Sequence, residues 1–219
     1  MGELKPSAFK ARALLLAGIT AATPDPPGGA IERAVGGEPT GILKETAMDL
    51  VSDLIPEPTL AEATEAILAA TAAAHRHGLV SVHTMEGPQA FRAFQHLHAG
   101  GELGMRVLMQ IPEENLEAAV RLGLRSGLGD ERLRIGGVKI FADGALGART
   151  AAMLAPYEGE PDNLGIAITD GPALTAMVRQ ASRAGLAAFV HAIGDRANRE
   201  VLDAVEASRR AGEGRPARA

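Results

Sequence analysis

The residue best suited to chemistry is Lys139, which lies within an apolar run at residues 135–141. Such a run predicts a buried strand, and burying an ammonium group without a partner is costly. We therefore expect Lys139 to be paired, neutralised or modified. Two interpretations stay open from the residues alone. Lys139 bridges to a nearby carboxylate such as Asp143, or it is a reactive lysine whose pKa shifts on burial.

Two histidines end predicted strands, where parallel α/β folds place their chemistry. His191 follows the apolar run 186–190 and precedes a helix for which Asp195 is the expected cap. His191 is either a core histidine bonded to the backbone, or a metal ligand or acid/base group. His83 ends the run 79–83 and is either a structural residue or a substrate contact.

Two His-x-His pairs, His75 with His77 and His96 with His98, also consist of residues that can bind a metal. Residues two apart share a face on a strand, but on a helix they point roughly 200° apart and cannot hold one ion. Both pairs precede glycines at predicted helix ends. There an imidazolium favours the carbonyl end of the helix dipole, so we expect a structural role.

Composition excludes several function classes. The chain of 219 residues has no cysteine, which rules out a disulfide framework, a thiolate nucleophile and cysteine-ligated metals. Its net charge of −5 and its few aromatic residues argue against a nucleic-acid partner and favour a small molecule. No apolar run approaches the roughly 18 residues of a membrane span. The first residues lack a secretory pattern, so a cytoplasmic location is expected.

Common nucleotide and hydrolase motifs are missing from the sequence. Gly36 and Gly41 have phosphate-loop spacing, but Ile42 stands where the lysine is required. Neither a Gly-x-Ser-x-Gly turn nor a dinucleotide-binding glycine triplet after a strand occurs. Kinase, dinucleotide-dependent dehydrogenase and serine-hydrolase functions are therefore disfavoured.

The elements that position the candidate residues alternate regularly from residue 59 onward. Capping-box spacing of Thr59 and Glu62 predicts a helix ending at Gly78. Further helices are predicted from Pro88, from Pro112, from Pro172 and from Asp195 to about Arg210, separated by strands at 79–83, 106–111, 135–141 and 186–190. Strands this apolar are typical of a parallel sheet covered by helices. An open doubly wound sheet and a (β/α)8 barrel both fit this α/β pattern.

Residues 1–58 differ from the rest of the chain. They contain a Pro- and Gly-rich turn cluster at 23–29, and apolar runs at 31–35 and 40–43 that flank Gly36 and Gly37 as a predicted hairpin. We expect two segments. The first, 1–58, is a small β-containing subdomain, and the second, 59–219, carries the β-α units.

Three blocks together resemble a known family. They are PGGAI at 27–31 with PTGILKE at 39–45, VKIFADGALGARTAAMLAPY at 138–157, and HAIGDRANREVLDA at 191–204. In this order they resemble the third amidohydrolase family, which includes N-substituted formamide deformylase-like enzymes. The resemblance extends from about residue 14 to residue 215.

The resemblance implies a metal-dependent hydrolase on a (β/α)8 barrel with a smaller β subdomain. In the family a strand lysine is carboxylated and bridges two metals, and Lys139 matches it; His191 matches a metal-ligating histidine. Metal-activated water would then hydrolyse a carbon–nitrogen bond, other than a peptide bond, in a small amide-type substrate. We expect a divalent metal, with zinc first, and His83 as a candidate substrate contact.

The chain also departs from the family pattern. A His-x-His on the first barrel strand, a sixth-strand histidine and an eighth-strand aspartate have no counterpart, and Ala34 replaces a commonly acidic residue. A closed barrel needs about 250 residues, so we expect a partial barrel of four β-α units, strands two to five. Two alternatives are a non-catalytic fragment that self-associates, as a homo-oligomer, and a barrel enzyme that uses Lys139 for a Schiff base.

Overall fold

A computed structural model describes residues 7–8 and 11–212 of the chain. The chain divides into two compact units. The first comprises Met1–Pro56, Phe141–Leu174 and Val190–Ala204, and the second comprises Glu57–Ile140, Thr175–Phe189 and Val205–Ala219. None of the described helices is long and apolar enough to cross a membrane. The sequence-based division into 1–58 and 59–219 stays a prediction.

The first unit begins with a small antiparallel sheet. Its elements are β1 (Ser7–Ala8), α1 (Ala11–Leu16), β2 (Gly29–Arg33), β3 (Pro39–Glu45) and α2 (Asp49–Ser52). The strand order is β1-β3-β2, and β2 pairs with β3 as the predicted hairpin. Gly37, with φ 86°, closes the turn by donating to the Ala34 carbonyl at 2.8 Å. Leu14, Ile31 and Leu43 bury the inner face of this sheet.

The remaining elements alternate between strand and helix. They are α3 (Leu60–Arg76), β4 (Ser81–Thr84), α4 (Pro88–Ala99), β5 (Arg106–Pro112), α5 (Leu116–Arg121), β6 (Leu133–Phe141), α6 (Gly171–Ala184), β7 (Ala187–His191) and α7 (Asp195–Arg210). The sheet order is β4-β5-β6-β7, with parallel pairing of β4 to β5 and of β5 to β6. This confirms the predicted α/β class and its four β-α units.

Local sequence signals explain where the helices begin and end. Thr59 caps α3 in a full capping box, in which Glu62 N–H donates to the Thr59 hydroxyl and Thr59 N–H donates to the Glu62 carboxylate. Pro88 occupies the first turn of α4. The His75 and His98 rings lie in the last turns of their helices, as expected, and bond the Gly104 carbonyl and Asp130.

Two details of the predicted elements are wrong. Pro112 ends β5 with an extended ψ of 145°, and a 3-10 turn (Glu113–Asn115) precedes α5, so the helix begins four residues later than expected. β4 is not buried on both faces, because it is the edge strand of the described sheet and the His83 side lies open. Leu79 and Val80 precede this strand and are more than half exposed.

Candidate functional site

The glycines in β6 allow its close approach to a neighbouring strand. A Cβ at Gly137 would overlap the carbonyl oxygen of Ala187 on β7, and one at Gly136 would press on Leu108 of β5. The other residues of β6 are almost all buried. The two glycines within an apolar run therefore let β6 pack in the middle of the sheet. Lys139 lies near the carboxyl end of β6.

Lys139 lies opposite Pro112 in the parallel register of β5 and β6. The residue is 9% exposed. Burial lowers the pKa of Lys139 below its ordinary value, and the negative charge of Glu113 acts in the opposite direction. The sequence suggested Asp143 as the acidic neighbour of the lysine. The charge of Glu113, directly after β5, acts on the lysine, and a pairing of Lys139 with Asp143 stays a prediction.

Asp143 is completely buried, two residues after β6. Its Oδ2 accepts hydrogen bonds from Ala152 N–H at 2.9 Å and Gly194 N–H at 2.7 Å, and its Oδ1 accepts one from Ile193 N–H at 2.9 Å. Backbone amides thus satisfy a buried anion in place of water. One side chain ties the loop after β6 to the turn after β7. Sequence reasoning considered Asp143 only as a partner of Lys139 and missed this role.

His191 ends β7 with its ring held on two sides. Its Nε2 lies 2.9 Å from the Gly144 carbonyl oxygen, and its ring centroid lies 5.5 Å from that of Phe141. A carbonyl only accepts, so Nε2 carries the proton and Nδ1 of the neutral ring carries the lone pair. The backbone bond foreseen for a core histidine is present. It also leaves a nitrogen suited to bind a metal.

A second buried carboxylate contacts the same loop from β3. Glu45 is 5% exposed and has φ 51°, a conformation uncommon for a residue other than glycine. Its Oε1 accepts a hydrogen bond from the Thr150 hydroxyl, and both side chains lie where a Cβ of Gly144 would project. Gly144 is therefore required by packing. Neither Glu45 nor Thr150 was singled out by the sequence, because 105 residues separate them.

An open depression of about 840 Å³ lies beside the turn that follows His191. Its walls combine apolar and polar side chains, namely Leu146, Met153, Ile193, Leu202, Asp195, Asn198, Arg199 and Asp203. The predicted capping role of Asp195 stays a prediction: Asp195 is the first residue of α7, and its Oδ1 accepts from Arg196 N–H and from Leu154 N–H, each at 2.8 Å. The volume falls in the range of roughly 300–1,000 Å³ typical of small-molecule sites.

Metal-ligating side chains are few in the part of the chain that the structure describes. No group of three or more His, Cys, Asp or Glu side chains able to hold an ion occurs there. Lys139 and His191 offer donors that divalent metals accept, yet two donors fall short of the three protein ligands of a catalytic zinc site. His83, the third candidate, is exposed on the edge strand β4. A metal-binding role for Lys139 and His191 therefore stays a prediction.

Comparison with known proteins adds the family. Residues 7–218 match the model of the amidohydrolase family. The chain belongs to this family. The amidohydrolase-type fold is likewise shared with crystal structures of uncharacterized metal-dependent hydrolases. The structure from Pyrococcus furiosus has a TM-score of 0.71 and that from Pyrococcus horikoshii OT3 a TM-score of 0.72, both at 30% identity over 92% of this chain.

Curated relatives are considerably longer than this chain. YtcJ of Bacillus subtilis (strain 168) is 36% identical over 91% of the chain and 38% of its own length. Protein LONG AFTER FAR-RED 3 of Arabidopsis thaliana is 32% identical over 89% of the chain and 35% of its own length. The chain covers 41% and 40% of the two Pyrococcus structures. It therefore spans a little over a third of the curated relatives that it matches.

Proposed function

We propose that this amidohydrolase-family chain carries part of the active site of a metal-dependent hydrolase. The bond cleaved is a carbon–nitrogen bond of amide type, other than a peptide bond, in a small molecule. One observation carries the proposal: the His191 ring is fixed by the Gly144 carbonyl so that Nδ1 presents its lone pair. Lys139 and His191 are the metal ligands that this chain contributes.

The setting of His191 matches what metal-binding histidines require. Such a histidine almost always donates its other ring N–H to a carboxylate, carbonyl or water, which fixes the tautomer and the ring orientation. Here the Gly144 carbonyl accepts from Nε2, and the ring side chain keeps 25% of its surface exposed. This partial exposure and the bond from Nε2 are what a histidine that ligates through Nδ1 requires.

Lys139 contributes through carboxylation of its amine. Nζ of the neutral amine attacks the carbon of CO₂, an N–C bond forms, and one proton leaves to solvent. The product is a carbamate with one negative charge, which replaces a cation that is costly to bury. Family resemblance at residues 138–157 and the burial of Lys139 support this assignment.

A divalent metal, with zinc as the proposed ion, supplies an activated water and polarises the amide carbonyl. This chain's own residues orient the ligands and shape the substrate space. Asp143 holds the turn after β7 through Ile193 and Gly194. The depression lined by Ile193 and Arg199 is large enough for a small amide and has both apolar and charged walls.

The test is a titration of the 219-residue protein with Zn²⁺ in bicarbonate buffer, in which calorimetry measures the binding. Two donors predict weak, saturable binding that His191→Ala abolishes, while His77→Ala, at an exposed histidine directly after α3, leaves it unchanged. Two tightly held zinc ions would contradict the assignment of an incomplete donor set. Binding that survives in His191→Ala would contradict the role of His191.

Carboxylation has a separate spectroscopic readout. Protein equilibrated with ¹³C-bicarbonate is expected to show a carbamate carbon resonance that Lys139→Arg removes. Lys44→Arg, at a partly exposed lysine near Glu32 on the hairpin, is the matched control and keeps the resonance. A spectrum without a carbamate signal that depends on Lys139 would refute the carboxylation.

A further inference from the structure

We propose that Glu45 and Thr150 are positioning residues that hold the His191 ring in its metal-binding orientation, an inference that rests on the proposed function of His191. They act through a single peptide group, the one that joins Gly144 to Ala145. All five residues belong to the first unit. The side chains come from β3, from the loop after β6 and from the end of β7.

The peptide group between Gly144 and Ala145 is bound at both of its polar ends. Its carbonyl oxygen accepts from His191 Nε2 at 2.9 Å, and its N–H, on Ala145, donates to the Thr150 hydroxyl oxygen at 3.0 Å. A peptide group is planar, so the direction of the N–H fixes the direction of the carbonyl. The Thr150 hydroxyl therefore sets where the acceptor for His191 points.

Glu45 in turn fixes the Thr150 hydroxyl. The hydroxyl donates its proton to Glu45 Oε1, which leaves the oxygen lone pairs to accept from Ala145 N–H. An alternative acceptor, the Ala145 carbonyl, is farther from Thr150 Oγ1, at 3.4 Å. The carboxylate thus selects the hydroxyl orientation that supports the peptide group.

The four hydrogen-bonding groups form a chain in which every hydrogen bond is donated in the same direction. Protons are donated from His191 to the peptide carbonyl, from the peptide N–H to Thr150, and from Thr150 to Glu45. Bonds aligned in this way polarise one another in a buried setting. The Glu45 carboxylate oxygen is the final acceptor, and this direction of donation matches the Nε2–H tautomer of His191.

The backbone conformation of Glu45 supports a positioning role. Glu45 keeps φ 51°, in the region that favours glycine, and its carboxylate lies against Gly144 where no side chain fits. A strained residue of this kind persists only where its surroundings determine it. The strand that carries Glu45 also brings the hairpin of the first unit to the loop after β6.

The tautomer of His191 is measured directly by long-range ¹H–¹⁵N correlation spectra of protein labelled at histidine. The six histidines are distinguished by comparison with His191→Ala. The wild-type chain is expected to show His191 with its proton on Nε2. Thr150→Val and Glu45→Met each remove one link, and both are expected to give mixed tautomers at His191.

Conservative variants keep the same links. Thr150→Ser retains the hydroxyl and Glu45→Gln retains an acceptor oxygen, so both are expected to give the wild-type His191 signal. Thr169→Val is the matched control, because Thr169 is also buried in the first unit but its hydroxyl donates to the Phe141 carbonyl. A wild-type tautomer in folded Thr150→Val or Glu45→Met would overturn the proposal. A changed tautomer in Thr150→Ser or Glu45→Gln would overturn it as well.

Metal affinity gives a second readout that separates this inference from the proposed function. Loss of a group that supports a ligand typically weakens metal binding about 10- to 100-fold, and this is expected for Thr150→Val but not for Thr150→Ser. A fixed Nε2–H tautomer that depends on Thr150, in a chain that binds no Zn²⁺, would refute the proposed function and leave the positioning role standing. Equal Zn²⁺ affinity of Thr150→Val and Thr150→Ser would overturn the positioning role.

Discussion

Replacing Asp143 with asparagine changes one atom of a buried side chain and weakens the link between two loops. The carboxylate accepts three backbone hydrogen bonds, two on Oδ2 and one on Oδ1. An asparagine has one acceptor oxygen. Its most favourable orientation keeps the bonds from Ala152 and Gly194 and turns its NH₂ group toward the Ile193 N–H.

The expected loss of stability follows from the number of hydrogen bonds that the asparagine loses. One hydrogen bond to a charged group, worth about 1.5–3 kcal/mol, is lost, and the Ile193 N–H faces another donor. The two retained bonds weaken because their acceptor is no longer charged. Relief from burying the anion offsets part of this loss. We expect a net decrease of about 3 kcal/mol in the free energy of unfolding.

Urea and thermal unfolding measure the effect. For a chain of this size about 3 kcal/mol corresponds to a decrease of roughly 6–12 °C in Tm, at 2–4 °C per kcal/mol. Asp162→Asn, at an exposed aspartate, is the matched control and is expected to change the free energy by less than about 0.5 kcal/mol. An Asp143→Asn protein as stable as this control would refute the structural role assigned to Asp143.

Three further predictions test other parts of the account. Gly194→Ala places a Cβ against the Ala152 carbonyl and is expected to lower the free energy of unfolding, measured in urea, by about 1–3 kcal/mol. Gly36→Ala has open space around its Cβ and is expected to change this free energy little. Equal stabilities of the two variants would contradict the packing at Gly194. Thr59→Ala removes the capping box of α3 and is expected to cost about 1 kcal/mol, and an unchanged urea midpoint would argue against the cap. Backbone N–H bonds from Leu133 and Arg132, with His98, lower the pKa of Asp130 to about 2, so its stabilisation is full above its unfolded pKa near 4 and is lost as pH falls toward 2. Thermal unfolding of Asp130→Asn is therefore expected to depend less on pH between about 4 and 2 than that of wild type, and identical profiles would refute this assignment.

Local signals in the sequence were sufficient for much of the fold. The capping box at Thr59, the proline at position 88 and the glycines between β2 and β3 each act within a few residues, and the structure confirms the elements that they predict. Alternation of apolar runs with helices gave the α/β class for the same reason. The exposed His83 side of β4 was missed, because the burial of a strand's side chains depends on the elements packed around it.

The candidate site was predictable only in part. Lys139 and His191 stand out because a cation in an apolar run and a histidine at a strand end are unusual, and residues 138–157 resemble the family. Glu45 and Thr150 lie in the blocks that resemble the family, at 39–45 and 138–157, but their roles arise from a contact between segments 105 residues apart. The same holds for Asp143, whose partners Ile193 and Gly194 lie about 50 residues along the chain.

The central claim is that Nδ1 of His191 is a metal ligand. An anomalous difference map at the zinc edge, from crystals of the 219-residue protein grown with Zn²⁺ and bicarbonate, tests it most directly. We expect a zinc peak about 2.0–2.1 Å from His191 Nδ1, with Nε2 still bonded to the Gly144 carbonyl. Zinc bound at other histidines, with His191 Nδ1 unliganded, would contradict it.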